Sequence, residues 1–182
     1  MRIISGKYKS RRIRVPANLK ARPTTDFAKE NLFNILSNRL EWEETSALDL
    51  FSGTGSIALE MVSRGCPRVV SVEMSVQHHR FISLAKETLD APELLALRED
   101  VFRYLRGCTE AFDLIFADPP YDHPQVGAVP SLIFGRELLK PDGWMVMEHS
   151  RNYNFSELPF FIEERVYGNV HFSMFKRGNG EW

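Results

Sequence analysis

The chain has 182 residues, 43% of them hydrophobic, with 23 basic and 24 acidic side chains and a formal net charge of −1. That length and apolar fraction suffice for one sizeable core, and so point to a single globular unit with at most a small appendage. No apolar run approaches the roughly 20 residues of a membrane span, and the basic N-terminus lacks the apolar stretch of a signal peptide, so a cytoplasmic protein with no membrane attachment is expected.

The charge is unevenly placed. Residues 1–22 hold eight basic side chains (Arg2, Lys7, Lys9, Arg11, Arg12, Arg14, Lys20, Arg22) and no acidic one, which leaves 15 basic against 24 acidic in the remainder. A cationic arm on an acidic body suits a polyanion, whose phosphates release counterions on contact; the alternative is a solvated basic hairpin. Two β-prone pieces, Arg2–Ser5 and Arg11–Val15, flank a turn at Gly6, and Pro16 to Pro23 reads as a connecting loop. A helix is expected near 26–39, with Thr24, Thr25 or Asp26 as its cap and Phe27, Leu32, Phe33, Ile35 and Leu36 at helical spacing.

From Ser46 onward, short apolar runs alternate with amphipathic stretches. Strands are expected at 47–51, 69–73, 94–97, 112–118 and 144–149, and helices at 56–64, 75–89, near 101–107 and near 126–139. This alternation means βαβ units in a parallel, doubly wound sheet. Alternation around Gly168-Asn169 predicts a terminal antiparallel hairpin, Glu163–Tyr167 with Val170–Lys176. Cys66 and Cys108 stand apart and the five histidines are dispersed, so neither a disulfide framework nor a metal site is expected.

Ligands of such sheets sit beyond the carboxyl ends of the strands. "DLFSGTGS" (49–56) occupies that place, and Gly53-x-Gly55-x-x-Ala58 satisfies the dinucleotide fingerprint as written. Glu73, about 20 residues on, could accept from ribose hydroxyls in either a dinucleotide or S-adenosylmethionine. Asp49 favours the latter, since a carboxylate can face a ligand ammonium; bracing the loop or capping the helix is its alternative role. Asp100 is placed to accept from an adenine amino group, with apolar contact from Val101 and Phe102. Asp49, Glu73, Asp100 and Asp118 thus form a set of acids at successive strand ends.

"FADPPYDHP" (116–124) bears on the chemistry. Pro119 and Pro120 fix φ and remove amide donors, so Asp118 and the Pro119 carbonyl make an acceptor-rich slot beside the flat face of Tyr121. A planar amino group fits there, its nitrogen oriented toward a methyl donor and its base stacked on the ring. A proline-rich turn with a buried tyrosine is the bland alternative.

The Asp-Pro-Pro-Tyr motif and "DLFSGTG" resemble S-adenosylmethionine-dependent methyltransferases of exocyclic amino nitrogens. "MRIISGKYKSRRIRVP" followed by "RPTTDFAKENLFNIL" is more specific. Together with "DLFSGTGSIALEMVSRG", "VVSVE" and "DPPY" in order, it resembles the RsmD family of bacterial 16S rRNA (guanine-N2)-methyltransferases over residues 1 to about 150. The resemblance implies a Rossmann-like fold: a mostly parallel seven-stranded sheet with a C-terminal antiparallel hairpin, and an N-terminal hairpin arm (1–22) preceding the methyltransferase domain (23–182). It also implies methyl transfer from S-adenosylmethionine to the N2 of a guanine in the small ribosomal subunit. No obligate protein partner is evident in the sequence, and a monomer is expected.

By position, Asp49, Gly53 and Gly55, with Phe51 in the same loop, hold the methionine moiety. Glu73 takes the ribose, Asp100 and Val101 the adenine, Asp118, Pro119, Pro120 and Tyr121 the target base, and Arg11, Arg12, Arg14, Arg22 and Thr25 the RNA. Thr25 could also simply cap the helix, and no role is carried beyond Glu148. Rival readings are a DNA adenine methyltransferase, expected to need an added recognition domain, and a protein-glutamine methyltransferase, expected to show Asn in place of Asp118. A non-catalytic RNA-binding assembly factor and an NAD oxidoreductase complete the alternatives.

Overall fold

The computed structural model of the protein describes residues 1–19 and 25–178. In chain order it contains α1 (Asp26–Ser37), β1 (Ser46–Leu50), α2 (Ser56–Arg64), β2 (Arg68–Val72), α3 (Val76–Leu89), β3 (Leu94–Leu97) and α4 (Val101–Gly107). There follow β4 (Phe112–Ala117), α5 (Val129–Gly135), β5 (Leu139–His149), β6 (Phe161–Tyr167) and β7 (Val170–Lys176). The strands form one sheet in the order β3-β2-β1-β4-β5-β7-β6, parallel except for β7, which runs antiparallel to both β5 and β6. The strand order reverses between β1 and β4, which is where an open α/β sheet offers its ligand crevice.

Period-two alternation divides the strands between two cores. Ala47, Val69, Leu94, Leu114, Phe116 and Val146 pack under α1, α2 and α3, whereas Leu48, Leu50, Val70, Val72, Ile115 and Met145 pack under α4 and α5. Because both faces are covered, the strands read as continuous apolar runs. Helix starts follow their caps. Thr25 accepts from the Ala28 amide, Ser75 from His78 and Asp100 from Arg103, each satisfying an amide that the first turn leaves without a partner.

Two expected elements differ in the structure. The helix expected near 126–139 is reduced to a 3-10 turn at Val126–Ala128 and the short α5, which stops at Gly135; Glu137 then takes a left-handed φ of 55°. The strand expected from 144 begins at Leu139, and runs past Pro141 and a left-handed Asp142 with a register shift opposite Phe112 and Leu114. A bulge admits such residues where regular pairing would not.

The N-terminal arm folds back on itself through a single bridge, Arg2 with Arg12, rather than two full strands. Several of its backbone groups bond to α2: the amides of Ile4 and Ser5 donate to the two carboxylate oxygens of Glu60 (2.8 and 3.0 Å), and Lys7 N–H donates to the Ser63 carbonyl (2.7 Å). Glu60 is wholly buried and also accepts from Arg64 Nε (3.0 Å). Lys29 of α1, 1% exposed, donates to the Arg2 carbonyl (2.7 Å) and to Ser56 Oγ (3.0 Å), and its Nζ lies 3.8 Å from Glu60. Two cations against one carboxylate, with the hydrogen bonds filled by backbone, satisfy a buried charge that would otherwise be costly. Cys66 and Cys108 are buried free thiols, and burial pushes the Cys66 pKa up to about 12.

Candidate active site

At the carboxyl ends of β1, β2 and β4 the structure opens a cleft of about 580 Å³. The loop after β1 makes its floor. Phe51, Gly53 and Gly55 all have positive φ (59°, 52° and 73°), and a positive φ is costly for phenylalanine, so this turn is held by its surroundings. Ser52 N–H donates to the Val72 carbonyl (3.1 Å), Ser52 Oγ to the Asp49 carbonyl (2.7 Å), and Gly55 N–H to the Ser52 carbonyl (2.7 Å). The two glycines do different work. A Cβ on Gly55 would stand 3.0 Å from Cγ1 of Ile82 on α3, whereas one on Gly53 would meet nothing within 4 Å. Gly55 therefore permits close packing, and Gly53 leaves clear a space that borders the cleft.

Asp49 lies under this loop rather than on the cleft wall. It is 1% exposed, its Oδ2 accepts from the Ala58 amide of α2 (3.1 Å), and burial pushes its pKa up to about 7. Its observed contacts are those of the loop-bracing alternative, and of the four acids expected at strand ends three line the cleft. Glu73 stands at the end of β2 and reaches back to the loop: Oε2 accepts from Gly53 N–H (2.8 Å) and Oε1 from Ser75 N–H (2.7 Å). It lines the cleft with Asp100, whose Oδ1 caps α4 through the Arg103 amide (2.8 Å), and with Val101. Each carboxylate oxygen accepts more than one hydrogen bond, so both acids can cap a helix or brace a loop and still take ligand hydroxyl or amino hydrogens.

Asp118, Pro119, Pro120 and Tyr121 line the same cleft. Asp118 is fixed by its own amide, which donates to the Leu50 carbonyl of β1 (3.3 Å), and the Pro120 carbonyl accepts from His123 N–H (2.9 Å). The His123 ring stacks on Phe102 (4.8 Å between centroids, 17°), and Phe102 meets Phe51 edge to face (5.9 Å), so an aromatic chain ties the proline segment to the glycine loop. The Tyr121 hydroxyl donates to Glu148 Oε1 of β5 (3.2 Å), and Tyr153 Oη reaches the Tyr121 carbonyl at 3.5 Å.

Five cleft residues escaped the sequence reading: Met74, His78, Asp122, His123 and Glu148. Glu148 carried a signal, as the acidic end of the next strand, and the rule applied to the other strand ends would have found it. Met74 and His78 are brought in only by the way α3 leaves β2. His78 Nε2 is buried without a hydrogen-bond partner, an acceptor or donor left for something the cleft would hold.

The arm residues are elsewhere. Arg12 and Arg14 line a separate, open cavity of about 610 Å³ with Met1, Arg2, Ile13 and Asp26. Arg2 is drawn toward Asp26 (3.5 Å) and Glu30 (3.7 Å), while Arg11, Arg12 and Arg14 are exposed, with no acidic partner within 4.0 Å among the described residues. Thr25 serves as the α1 cap. Arg22 lies outside the described residues. Among those residues no group of histidine, cysteine or acidic side chains is arranged to hold a metal, and no helix is long and apolar enough to cross a membrane.

The model of the family described as conserved hypothetical protein 95 matches residues 1–176. A relative from Escherichia coli K12, ribosomal RNA small subunit methyltransferase D, is 31% identical over 150 residues, covering 81% of this chain and 71% of that one. The chain belongs to the RsmD family. Another relative of the same name, from Buchnera aphidicola subsp. Baizongia pistaciae, is 27% identical over 98% of this chain and 93% of its own. The Escherichia coli structure of yhhF superimposes with a TM-score of 0.86 at 25% identity, covering 98% of both chains. The RsmD-family chain thus has the Rossmann-like methyltransferase fold, its antiparallel β6–β7 hairpin completing the seven-stranded sheet.

Proposed function

We propose that the protein transfers a methyl group from S-adenosylmethionine to the exocyclic N2 of a guanine in 16S rRNA of the small ribosomal subunit. The observation that carries this reading is one cleft holding both halves of the chemistry. Glu73 and Asp100 supply acceptors suited to a ribose diol and an adenine amino group, and Asp118-Pro119-Pro120-Tyr121 lines the same cleft. Family membership, with relatives named as small-subunit rRNA methyltransferases, supports the substrate class.

The cleft suits the cofactor on its own chemistry: acceptors at Glu73 and Asp100, apolar surface at Phe51, Met74 and Val101, cleared space beside Gly53, and an unpartnered His78 Nε2. When bound, the cofactor supplies a methyl group on a sulfonium, electrophilic without a metal or a covalent enzyme adduct. The chain supplies placement. Asp118 accepts a hydrogen bond from the target amine and turns its nitrogen lone pair toward the methyl, the Pro119 carbonyl takes the second N–H, and Tyr121 stacks on the flipped base. The carboxylate also favours the positive charge that grows on the nitrogen. The proton leaves after the methyl arrives, so Asp118 orients rather than deprotonates in advance.

In this reading residues 1–22 form the RNA-binding arm and 23–182 the methyltransferase domain, working as a cytoplasmic monomer. The exposed guanidinium groups of Arg11, Arg12 and Arg14, with Arg22, contact phosphates. The test is transfer of labelled methyl to undermethylated small subunits, with nuclease mapping of the product nucleotide. Asp118→Ala abolishes transfer while leaving S-adenosylhomocysteine binding near wild type; unchanged turnover would remove the assigned role.

A further inference from the structure

We infer that Glu148 selects guanine, its carboxylate accepting the N1–H of the target base beside the amine that Asp118 holds. The inference rests on the guanine-N2 reading above and names a determinant of that specificity. It starts from the sheet register. β4 pairs with β5 through Ala117 and Met147, so Asp118 and Glu148 are the next positions on neighbouring parallel strands and reach the same edge side by side. Both line the cleft, as does Tyr121, whose hydroxyl donates to Glu148 Oε1 (3.2 Å).

Glu148 is 4% exposed, and its backbone follows directly on Met147, the last β5 residue paired to β4, and pairs through Phe172 to β7. It is therefore rigidly placed. A buried carboxylate strongly prefers N–H or O–H donors and rejects lone pairs. A carboxylate can accept about four hydrogen bonds.

The Watson–Crick edges of the four bases divide sharply against such a group. Guanine presents N1–H next to its N2 amine, two donors in a row that two adjacent carboxylates can share. Adenine and cytosine each offer an amine next to a bare ring nitrogen, which would point a lone pair at Glu148; uracil has a ring N–H but no amine to methylate. Asp118-Pro119-Pro120-Tyr121 alone accepts any planar amine, so the choice among amines falls to the second acid. Tyr121 would stack on the base by its face while its hydroxyl holds the neighbouring Glu148 carboxylate.

The test uses the full-length protein and small subunits assembled on RNA carrying either guanine or 2,6-diaminopurine at the mapped target nucleotide. Diaminopurine keeps the N2 amine but exchanges N1–H for a lone pair. The wild type should prefer guanine by about 10²-fold or more in kcat/KM, the scale on which a site built for a hydrogen bond rejects a mismatched partner. Glu148→Gln can donate to the bare N1, so it should lose about 10- to 100-fold on guanine and bring the discrimination close to unity; Glu148→Ala should lose rate on guanine without gaining on diaminopurine. S-adenosylhomocysteine binding by both variants verifies that they fold, and the isosteric Gln substitution carries the test if Ala does not. Wild-type discrimination retained in Glu148→Gln overturns this inference alone. A wild-type product methylated anywhere but guanine N2 overturns the reading on which it rests, and this inference with it.

Discussion

A methyl group placed on Gly6 would lie 1.7 Å from the carbonyl oxygen of Ser63, so the arm touches α2 backbone to backbone at this point. Gly6 also has φ +81°, a conformation that L side chains rarely adopt. Gly6→Ala must therefore lift the turn off the helix and break the Lys7-to-Ser63 bond. It should cost about 2 kcal/mol or more, roughly 4–8 °C in melting temperature for a domain of this size. Binding to small subunits should weaken, and S-adenosylhomocysteine affinity should stay near wild type. Calorimetry and a filter-binding salt series together check it, and undiminished subunit binding would count against the arm as the RNA contact.

The buried triad behind the turn is asymmetric. Glu60 faces both Arg64 and Lys29, so removing Lys29 leaves the carboxylate balanced, whereas removing Glu60 leaves a buried ammonium without a counter-charge and the amides of Ile4 and Ser5 without acceptors. Burial already holds the Lys29 pKa below the ordinary lysine value. Glu60→Ala should cost about 3–5 kcal/mol, and Lys29→Met clearly less. Urea melts of the two variants and the double variant would show the order; equal losses would contradict it.

Asp49 gives the unliganded protein a pH signature. Its folded pKa, about 7, lies above the ordinary carboxylate value of 3.8 because burial disfavours the charge. Between those values the folded state binds the proton and the unfolded state does not. The stability this provides is full below about pH 4 and is lost as pH rises to about 7. Asp49→Asn, which keeps an acceptor for the Ala58 amide, should remove that slope and stabilise the protein relative to wild type at pH 8 more than at pH 5. Parallel thermal scans at the two pH values measure the difference, and a gap that does not change with pH would show that Asp49 is not titrating.

Glu73 joins two jobs in one carboxylate. Glu73→Ala frees the Gly53 and Ser75 amides and deletes the proposed ribose acceptor, so S-adenosylhomocysteine affinity should fall about 100-fold, with Glu73→Gln intermediate. Isothermal titration distinguishes this from a purely structural role, in which melting temperature would fall without a matching loss of affinity.

What could be read before the structure was whatever rests on local pattern. α2, β3 and α4 have the boundaries their periodicity and caps predict, and Thr25, Ser75 and Asp100 cap as their residue types prefer. The C-terminal half was less legible. Nothing local in "KPDGW" announces that a strand continues through a proline and a left-handed aspartate, because pairing with β4 decides it. In the site, Glu73, Asp100 and Asp118 follow from strand ends, and Asp49 from the loop, although its depth does not. Burial depends on how α2 seats over β1, a tertiary outcome invisible in eight letters. The arm looked like a free hairpin for the same reason: its true partner is Glu60, 56 residues from Ile4.

α2 begins at Ser56, where the glycine loop ends, and carries Glu60 and Ser63 as the anchors of the arm. The seven residue steps from Ser56 to Ser63 rise only about 10 Å. This short helix is a gauge block between the arm and the glycine loop. One residue inserted into it would swing the anchors about a third of a turn around its axis and carry the arm out of line with the cleft, even with every cleft residue intact.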